Sequence, residues 1–409
     1  MIQTAVRAAA HLFLGLLFLA VATLEAQEPD PLFLGYETEP AMDFGGRTVV
    51  SLQAGISRAI DRAVEKPAVA PAWEFPLAAF LLLVQHEVGG HGGRAREFAL
   101  SPDYGFGFDF SAYTTTERDP RTNQELVLLA ASGTEADQVL AQRVLRDLLR
   151  PGGADAAKVP LALLAKLDLT LYVSQTEDPE PGQDFLDQFE EGNDVAIYLV
   201  GRQAQRLGFD AGDVWNRRVG PKFNEPLLGR TWDDVRATAL WNLLDPSLVG
   251  AVWAYFRDHV LGGKARVRSV GWRAGDGILI TLGTRGALGP QAVSRFLDLH
   301  AGTRRGVFTL TLRDLDSSRD RAWGFGAAVR GLPLGRRVEL ALEVDSWEEP
   351  EAAEELDAGS GWNASAELAA RFGARWGAAV KLGAKSEGFL PGRPIDKGTY
   401  LGFGLQVTW

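Results

Sequence analysis

The sequence predicts an α+β protein in two unlike parts: a mostly α-helical half, then an antiparallel β-barrel of about eight strands. Three observations carry this expectation. From about residue 45 to 262, apolar residues recur at spacings of three and four, the helical period. From about residue 264 the period falls to two, the strand period. The chain has 409 residues and is 46% hydrophobic, enough to supply each part with its own core.

The first segment reads as a secretory signal over residues 1–26. Arg7 is the lone positive charge, AAAHLFLGLLFLAVA is the apolar run, and LEA before Gln27 offers a small residue for cleavage. The run is shorter than the roughly 20 residues a membrane span needs, so cleavage and export are expected in preference to a membrane anchor. No later segment is long and apolar enough for a transmembrane helix. The chain has no cysteine, which excludes disulfides, thiolate metal ligands and a lipoprotein anchor. A net charge of −11 argues against nucleic acid as a partner.

Residues 27–262 form the expected helical domain. SLQAGISRAIDRAVEK, NQELVLLAASGTEADQVLAQRVLRDLLR, VPLALLAKLDLTLYVSQ, DFLDQFEEGNDVAIYLVGRQAQRLG and PSLVGAVWAYFRDHVLGG all carry the helical pattern. Turn-rich pieces such as PGGAD and EDPEPGQD separate them. YGFGFDFSAYTTT, residues 104–116, alternates aromatic with small or polar residues and predicts a strand or hairpin.

Residues 263–409 form the expected barrel. Val338, Leu340, Leu342 and Val344 share one face of their segment, opposite Glu339, Glu343 and Asp345. Trp362, Ala364, Ala366, Leu368, Ala370 and Phe372 repeat the pattern, as do Trp376, Ala378, Val380 and Leu382, and Phe308, Leu310 and Leu312. Strands are expected to start near residues 276, 292, 306, 322, 336, 361, 375 and 399. A soluble sandwich also alternates, but three features favour a transmembrane barrel. Tryptophans 323, 362, 376 and 409 sit near strand ends, as in an aromatic girdle. The polar faces carry charges of both signs, which a narrow lumen can pair. Tight connections (GLPLG, FGAR) alternate with long ones (DSWEEPEAAEELDAGSG, KSEGFLPGRPIDKG). The ending GTYLGFGLQVTW, with Leu401, Phe403, Leu405, Val407 and Trp409 on one face, resembles the C-terminal insertion signal of bacterial outer-membrane barrel proteins. That resemblance implies outer-membrane lipid around the barrel, and the helical domain is then expected to hang in the periplasm.

The chemistry concentrates in LLLVQHEVGGHGGRARE, residues 81–97. The preceding WEFPLAAFLLLV is apolar nearly all round, so its helix is buried, and His86, Glu87 and His91 at its end must be paired or ligated. Two of the five histidines fall within six residues. In H-E-x-x-H zinc helices both histidines share a face and the glutamate is general base. Here the spacing is i and i+5, which in a regular helix turns His91 roughly 140° from His86. A single π-type turn would absorb the extra residue, and Gly89 and Gly90 are where the backbone deforms cheaply.

HEVGGH resembles the H-E-x-x-G-H zinc motif of the dipeptidyl-peptidase III family, a branch of the glutamate-zincins. The resemblance covers these six residues and their helical setting. It implies Zn2+ bound by His86 and His91, Glu87 as catalytic base, and a third ligand from a glutamate on a later helix. Glu135, in ASGTEADQVLAQRV behind a Gly-Thr pair, is the expected third ligand; Glu190, Glu191 and Asp194 compete with it. Three protein ligands leave one zinc position open, as catalysis requires. Arg94 reads as a surface arginine or a partner for Asp137 or substrate, and Tyr104 and Tyr113 as edge-strand residues beside a bound peptide. His259 reads as a helix-end partner and His300 as a barrel residue.

The expected function is zinc-dependent hydrolysis of periplasmic or envelope polypeptides by an outer-membrane-anchored peptidase. The alternative is a non-catalytic anchored binding protein with a structural metal. Substrate preference and oligomeric state have no signal in the sequence.

Overall fold

The computed structural model describes residues 31–409 except 65–66, 108, 110, 179–191, 216–225, 275–276, 317–320, 351–358 and 409. The expected signal segment 1–26, Glu190, Glu191 and Trp409 lie outside the described residues. The chain is α+β: helices and one large antiparallel sheet. No helix among the described residues is long and apolar enough to cross a membrane.

The helical half opens with strand β1, Leu32–Glu37, and helix α1, Met42–Val64. Helix α2, Pro71–Val84, runs directly into a π-helix, Gln85–His91, and on into α3, Gly92–Glu97. A short hairpin follows, β2 (Pro102–Phe106) with β3 (Ala112–Thr116). Helix α4, Asn123–Leu148, starts at Thr122, whose hydroxyl accepts from Glu125 N at 3.1 Å. It runs unbroken through Gly133, so the Gly-Thr pair makes no bend. Helix α5 covers Lys158–Gln175, beyond the two-residue strand β4 at Ala154–Asp155. Helix α6, Asp194–Leu207, is capped by Asn193, whose side chain accepts from Ala196 N, and ends at Gly208 with φ +70°. Helices α7 (Ala211–Trp215), α8 (Pro226–Leu243) and α9 (Pro246–Ala254) lead to a second π-helix, Tyr255–Val260. The main cores lie between helices: Leu126, Leu199 and Val235 join α4, α6 and α8, while Val50, Leu81, Leu140 and Leu161 join α1, α2, α4 and α5. Burial of each such side chain contributes about 1.5–3 kcal/mol.

Strand β5 (Arg266–Val267) pairs with β4, and β6 (Trp272–Ala274) leads into the sheet. Eight long strands follow as a meander: β7 Ile278–Leu288, β8 Val293–Thr303, β9 Gly306–Asp316, β10 Arg321–Pro333, β11 Val338–Glu348, β12 Ser360–Phe372, β13 Trp376–Lys385 and β14 Gly398–Val407. Among the described residues the sheet is open, not a closed eight-stranded barrel. Its order is β1-β14-β13-β12-β11-β10-β9-β8-β7-β6. The edge of β14 that closure needs is taken by β1, with Leu34 opposite Leu405, and the edge of β7 by β6.

The reason is what fills the interior. Eight closed strands leave room for side chains only. Here helices dock on the polar face of the sheet. From α1, Arg47 pairs with Glu367 of β12 at 2.6 Å, and Asp43 with Lys381 of β13 at 2.7 Å. From α4, Arg150 just past its end reaches Glu339 of β11 at 2.8 Å. From α8, Trp241 Nε1 donates to Phe296 O of β8 at 3.0 Å. The change of period near residue 264 therefore marks where helices give way to strands, not a gap between separately packed bodies. β1 belongs to the sheet, and the helices lie against it instead of hanging clear.

The sheet is inverted relative to a soluble one. Lys381, Asp298, His300, Arg313 and Asn363 face inward and are buried, whereas Leu310, Phe325, Leu342, Val344, Leu368, Val380, Leu382 and Phe403 face outward and are exposed. The outer face carries aromatic residues at both rims: Trp323 and Trp362 at one, the cross-strand pair Phe372 and Trp376 at the other. Both long connections, at 349–359 and 386–397, leave one rim, which also carries the short turn at 289–292; the turns at 304–305, 334–337 and 373–375 share the other.

Candidate metal centre

The π-helix over Gln85–His91 is the local answer to the six-residue spacing. Its wide turn is closed by Gly92 N donating to Glu87 O, five residues back. The extra residue is absorbed, and both imidazoles aim at one point. His86 Nε2 and His91 Nε2 lie 3.2 Å apart. Asp194 Oδ2 lies 3.0 Å from the first and 3.1 Å from the second. Asp194 is the first residue of α6, placed by the Asn193 cap.

The outer contacts fix the tautomers. His91 Nδ1 is 2.7 Å from Leu129 O, an acceptor, so this nitrogen carries the hydrogen. His86 Nδ1 is 3.0 Å from Asp137 Oδ2 and 3.5 Å from Asp168 Oδ2, which makes it a donor too. In its neutral form each imidazole would present its Nε2 lone pair to the Asp194 carboxylate. This triangle with 3.0–3.2 Å sides is held together by a proton on an imidazole Nε2 facing Asp194 or by a cation between the three atoms. Ligands about 2.0–2.1 Å from a tetrahedral zinc stand roughly 3.3 Å apart, so the donor set fits zinc.

Gly89 and Gly90 lie within the π-turn, and Gly90 also serves close approach. His91 and Gly92 have ordinary right-handed backbone angles. A Cβ on Gly90 would stand 2.5 Å from Ser132 O, and one on Gly133 would stand 2.2 Å from His86 Nε2. The π-helix and α4 are therefore in backbone contact, with the His86 ring lying on Gly133.

Glu87 is buried beside the triangle. Thr114 Oγ1 of β3 donates to Glu87 Oε2 at 2.7 Å and to its backbone carbonyl at 3.2 Å. The Glu87 charge reaches both His91 and Tyr172. Tyr172 of α5 stacks on the His86 ring at 5.5 Å, with its hydroxyl 3.1 Å from His86 Nε2.

The surrounding carboxylates favour positive charge here, whether as protons on the imidazoles or as a cation. Burial drives His86 down, but Tyr172, Asp168 and Asp137 together hold it well above the usual histidine range. Burial opposes His91 in the same way, and Asp194 raises it. Burial disfavours the Asp194 carboxylate, yet His91 and His86 hold its pKa far below the ordinary value. Asp137 is raised well above the carboxylate range by burial and by Asp168. Tyr172 is raised by burial and Asp194.

Glu135 does not join this group. Two residues before Asp137 on α4, it points about 160° away around the helix. It pairs with Arg94, Nε to Oε2 at 3.1 Å and Nη2 to Oε1 at 2.5 Å, and accepts from Gly392 N at 2.7 Å. Arg94 is fully buried and also holds Glu97 at 2.6 Å, so it clamps the 386–397 loop to the helices. Of the expected carboxylates it is Asp194 that faces both histidines. Tyr104 bonds to Arg96 and covers Gly92, while Tyr113 is exposed on β3. Asp168 and Tyr172 were not singled out from the sequence. Their signal is there: polar groups at i and i+4 on the otherwise apolar VPLALLAKLDLTLYVSQ.

No protein family, curated protein or solved structure matches this chain.

Proposed function

We propose that this protein is a zinc-dependent peptidase held in the bacterial outer membrane by its sheet. The observation that carries the catalytic part is the triangle of His86 Nε2, His91 Nε2 and Asp194 Oδ2 with Glu87 beside it. Bound there, Zn2+ would polarise a scissile carbonyl and make a water acidic. Glu87 takes the proton from the attacking water and delivers it to the departing amine, its carboxylate aimed by Thr114. Tyr172 Oη donates toward the oxygen that gains charge as the tetrahedral centre forms. The β2–β3 hairpin runs beside the π-helix and offers main-chain groups to an extended peptide. The substrate class is periplasmic or envelope polypeptide.

The membrane part is supported by the inverted sheet, its two aromatic rims and the departure of both long connections from one rim. Strands of about 11 residues, tilted, match an apolar band about 25 Å tall.

Glu87→Gln tests the reading. The variant is expected to retain its zinc and lose hydrolysis of a mixed peptide library by about 10²–10⁴-fold. Undiminished hydrolysis in Glu87→Gln overturns the peptidase reading; a wild type that keeps its zinc but cleaves nothing supports an anchored binding protein. Release of the wild type from membranes by carbonate alone overturns the membrane reading.

A further inference from the structure

A second group of metal-type donors stands apart from the histidine centre. Asp61 lies near the end of α1, Glu74 in the first turn of α2, and His259 in the second π-helix. One donor atom from each lies within 4.8 Å of the others. Glu74 and His86 are twelve residues apart along nearly continuous helix, about 18 Å.

The donors are orphaned. Glu74 is fully buried; its Oε2 accepts from Tyr255 Oη at 2.5 Å, but its Oε1 has no hydrogen-bond partner. His259 is buried, with Nδ1 2.8 Å from the Lys264 carbonyl, so that nitrogen carries the hydrogen. Its Nε2 stands 3.2 Å from Glu74 Oε1 without the alignment of a hydrogen bond. Asp61 Oδ1 makes no well-aligned hydrogen bond and faces the indole of Trp73. A proton on His259 would serve Glu74 and leave Asp61 with the Trp73 indole alone. A divalent cation satisfies all three.

We propose that Asp61, Glu74 and His259 bind a second divalent cation. One imidazole with two carboxylates and no thiolate suits zinc. Each buried ligand has the outer support such sites use: Tyr255 orients Glu74, and the Lys264 carbonyl orients His259. Asp61 is half-buried and gives the ion its route in. The site ties together the end of α1, the start of α2 and the segment that leaves the helices for β5. Its role is to pin the helical bundle where the chain passes into the sheet.

The test counts metal in full-length, detergent-purified protein that has been zinc-loaded and dialysed. Wild type is expected to hold two zinc per chain. His259→Gln and Asp61→Asn each hold one, His91→Gln loses the other, and the His91→Gln/His259→Gln double variant holds none. An unchanged count in His259→Gln and Asp61→Asn overturns the proposal. Asp61→Asn, isosteric and half-buried, gives the comparison even where His259→Gln fails to fold. As a second readout, zinc added to metal-free His91→Gln should raise its Tm, and no rise overturns the proposal. Each site is read through its own variant, so failure of one leaves the result for the other intact.

Discussion

Gly133→Ala separates metal binding from folding. A Cβ at this position would lie 2.2 Å from His86 Nε2 and 2.3 Å from Cε1. Ordinary contact begins near 3.5 Å, so the ring must shift by about 1 Å. His86 has little room to do so, held between Asp137 and Asp194 at 3.0 Å each. Metal ligands tolerate about 0.2 Å of displacement, so the shift would remove one of the three proposed zinc ligands. Losing an outer partner alone costs about 10–100-fold in affinity, and displacing the ligand itself should cost at least that. The effect on folding is smaller. Overpacking costs about 1–3 kcal/mol, and replacing a mid-helix glycine by alanine returns nearly 1 kcal/mol. Competition with a chromophoric chelator measures the zinc affinity, and denaturant titration of the metal-free protein measures the fold. A loss of affinity of 100-fold or more, with metal-free stability changed by about 2 kcal/mol or less, is expected. Wild-type zinc affinity in Gly133→Ala would refute the packing argument.

Other perturbations probe separate parts of the account. Tyr172→Phe is expected to retain zinc and lower kcat by about 10²–10³-fold; a wild-type kcat removes Tyr172 from the reaction. Arg94→Met strands the buried Glu135 carboxylate and should cost about 3–5 kcal/mol in a denaturant titration with zinc content unchanged; loss of zinc would instead tie this pair to the metal centre. Leu310→Arg, in the middle of the outward face, should destabilise the protein in lipid vesicles by about 2–4 kcal/mol, whereas an effect within about 0.5 kcal/mol would mean that this face meets water.

Much of the fold was legible because its periods are strict. Expected strand starts at 276, 292, 306, 322, 336, 361, 375 and 399 compare with observed starts at 278, 293, 306, 321, 338, 360, 376 and 398. Side-chain alternation also showed which face is apolar. The π-turn followed from helix geometry alone, since no regular helix brings His86 and His91 together. What stayed hidden depends on long-range pairing. LFLGYE at Leu32–Glu37 carries no mark that it will cover β14, more than 360 residues away, and so prevent closure. The helices bear too few inward-facing charges to announce that Arg47, Asp43 and Arg150 will meet the sheet. The third ligand was ambiguous for a related reason. Glu135 and Asp137 lie on opposite sides of one helix, and its rotation about its axis decides which one meets His86. Asp194 is 103 residues beyond His91, beside a predicted helix start, where a carboxylate usually serves the helix dipole.

The most direct test of the central claim compares Asp194→Asn with Glu135→Gln for zinc affinity, both in a His259→Gln background so that one site is read. The account predicts that Asp194→Asn loses at least about 100-fold in affinity while Glu135→Gln binds zinc as the parent does. Zinc retained in Asp194→Asn and lost in Glu135→Gln would contradict it.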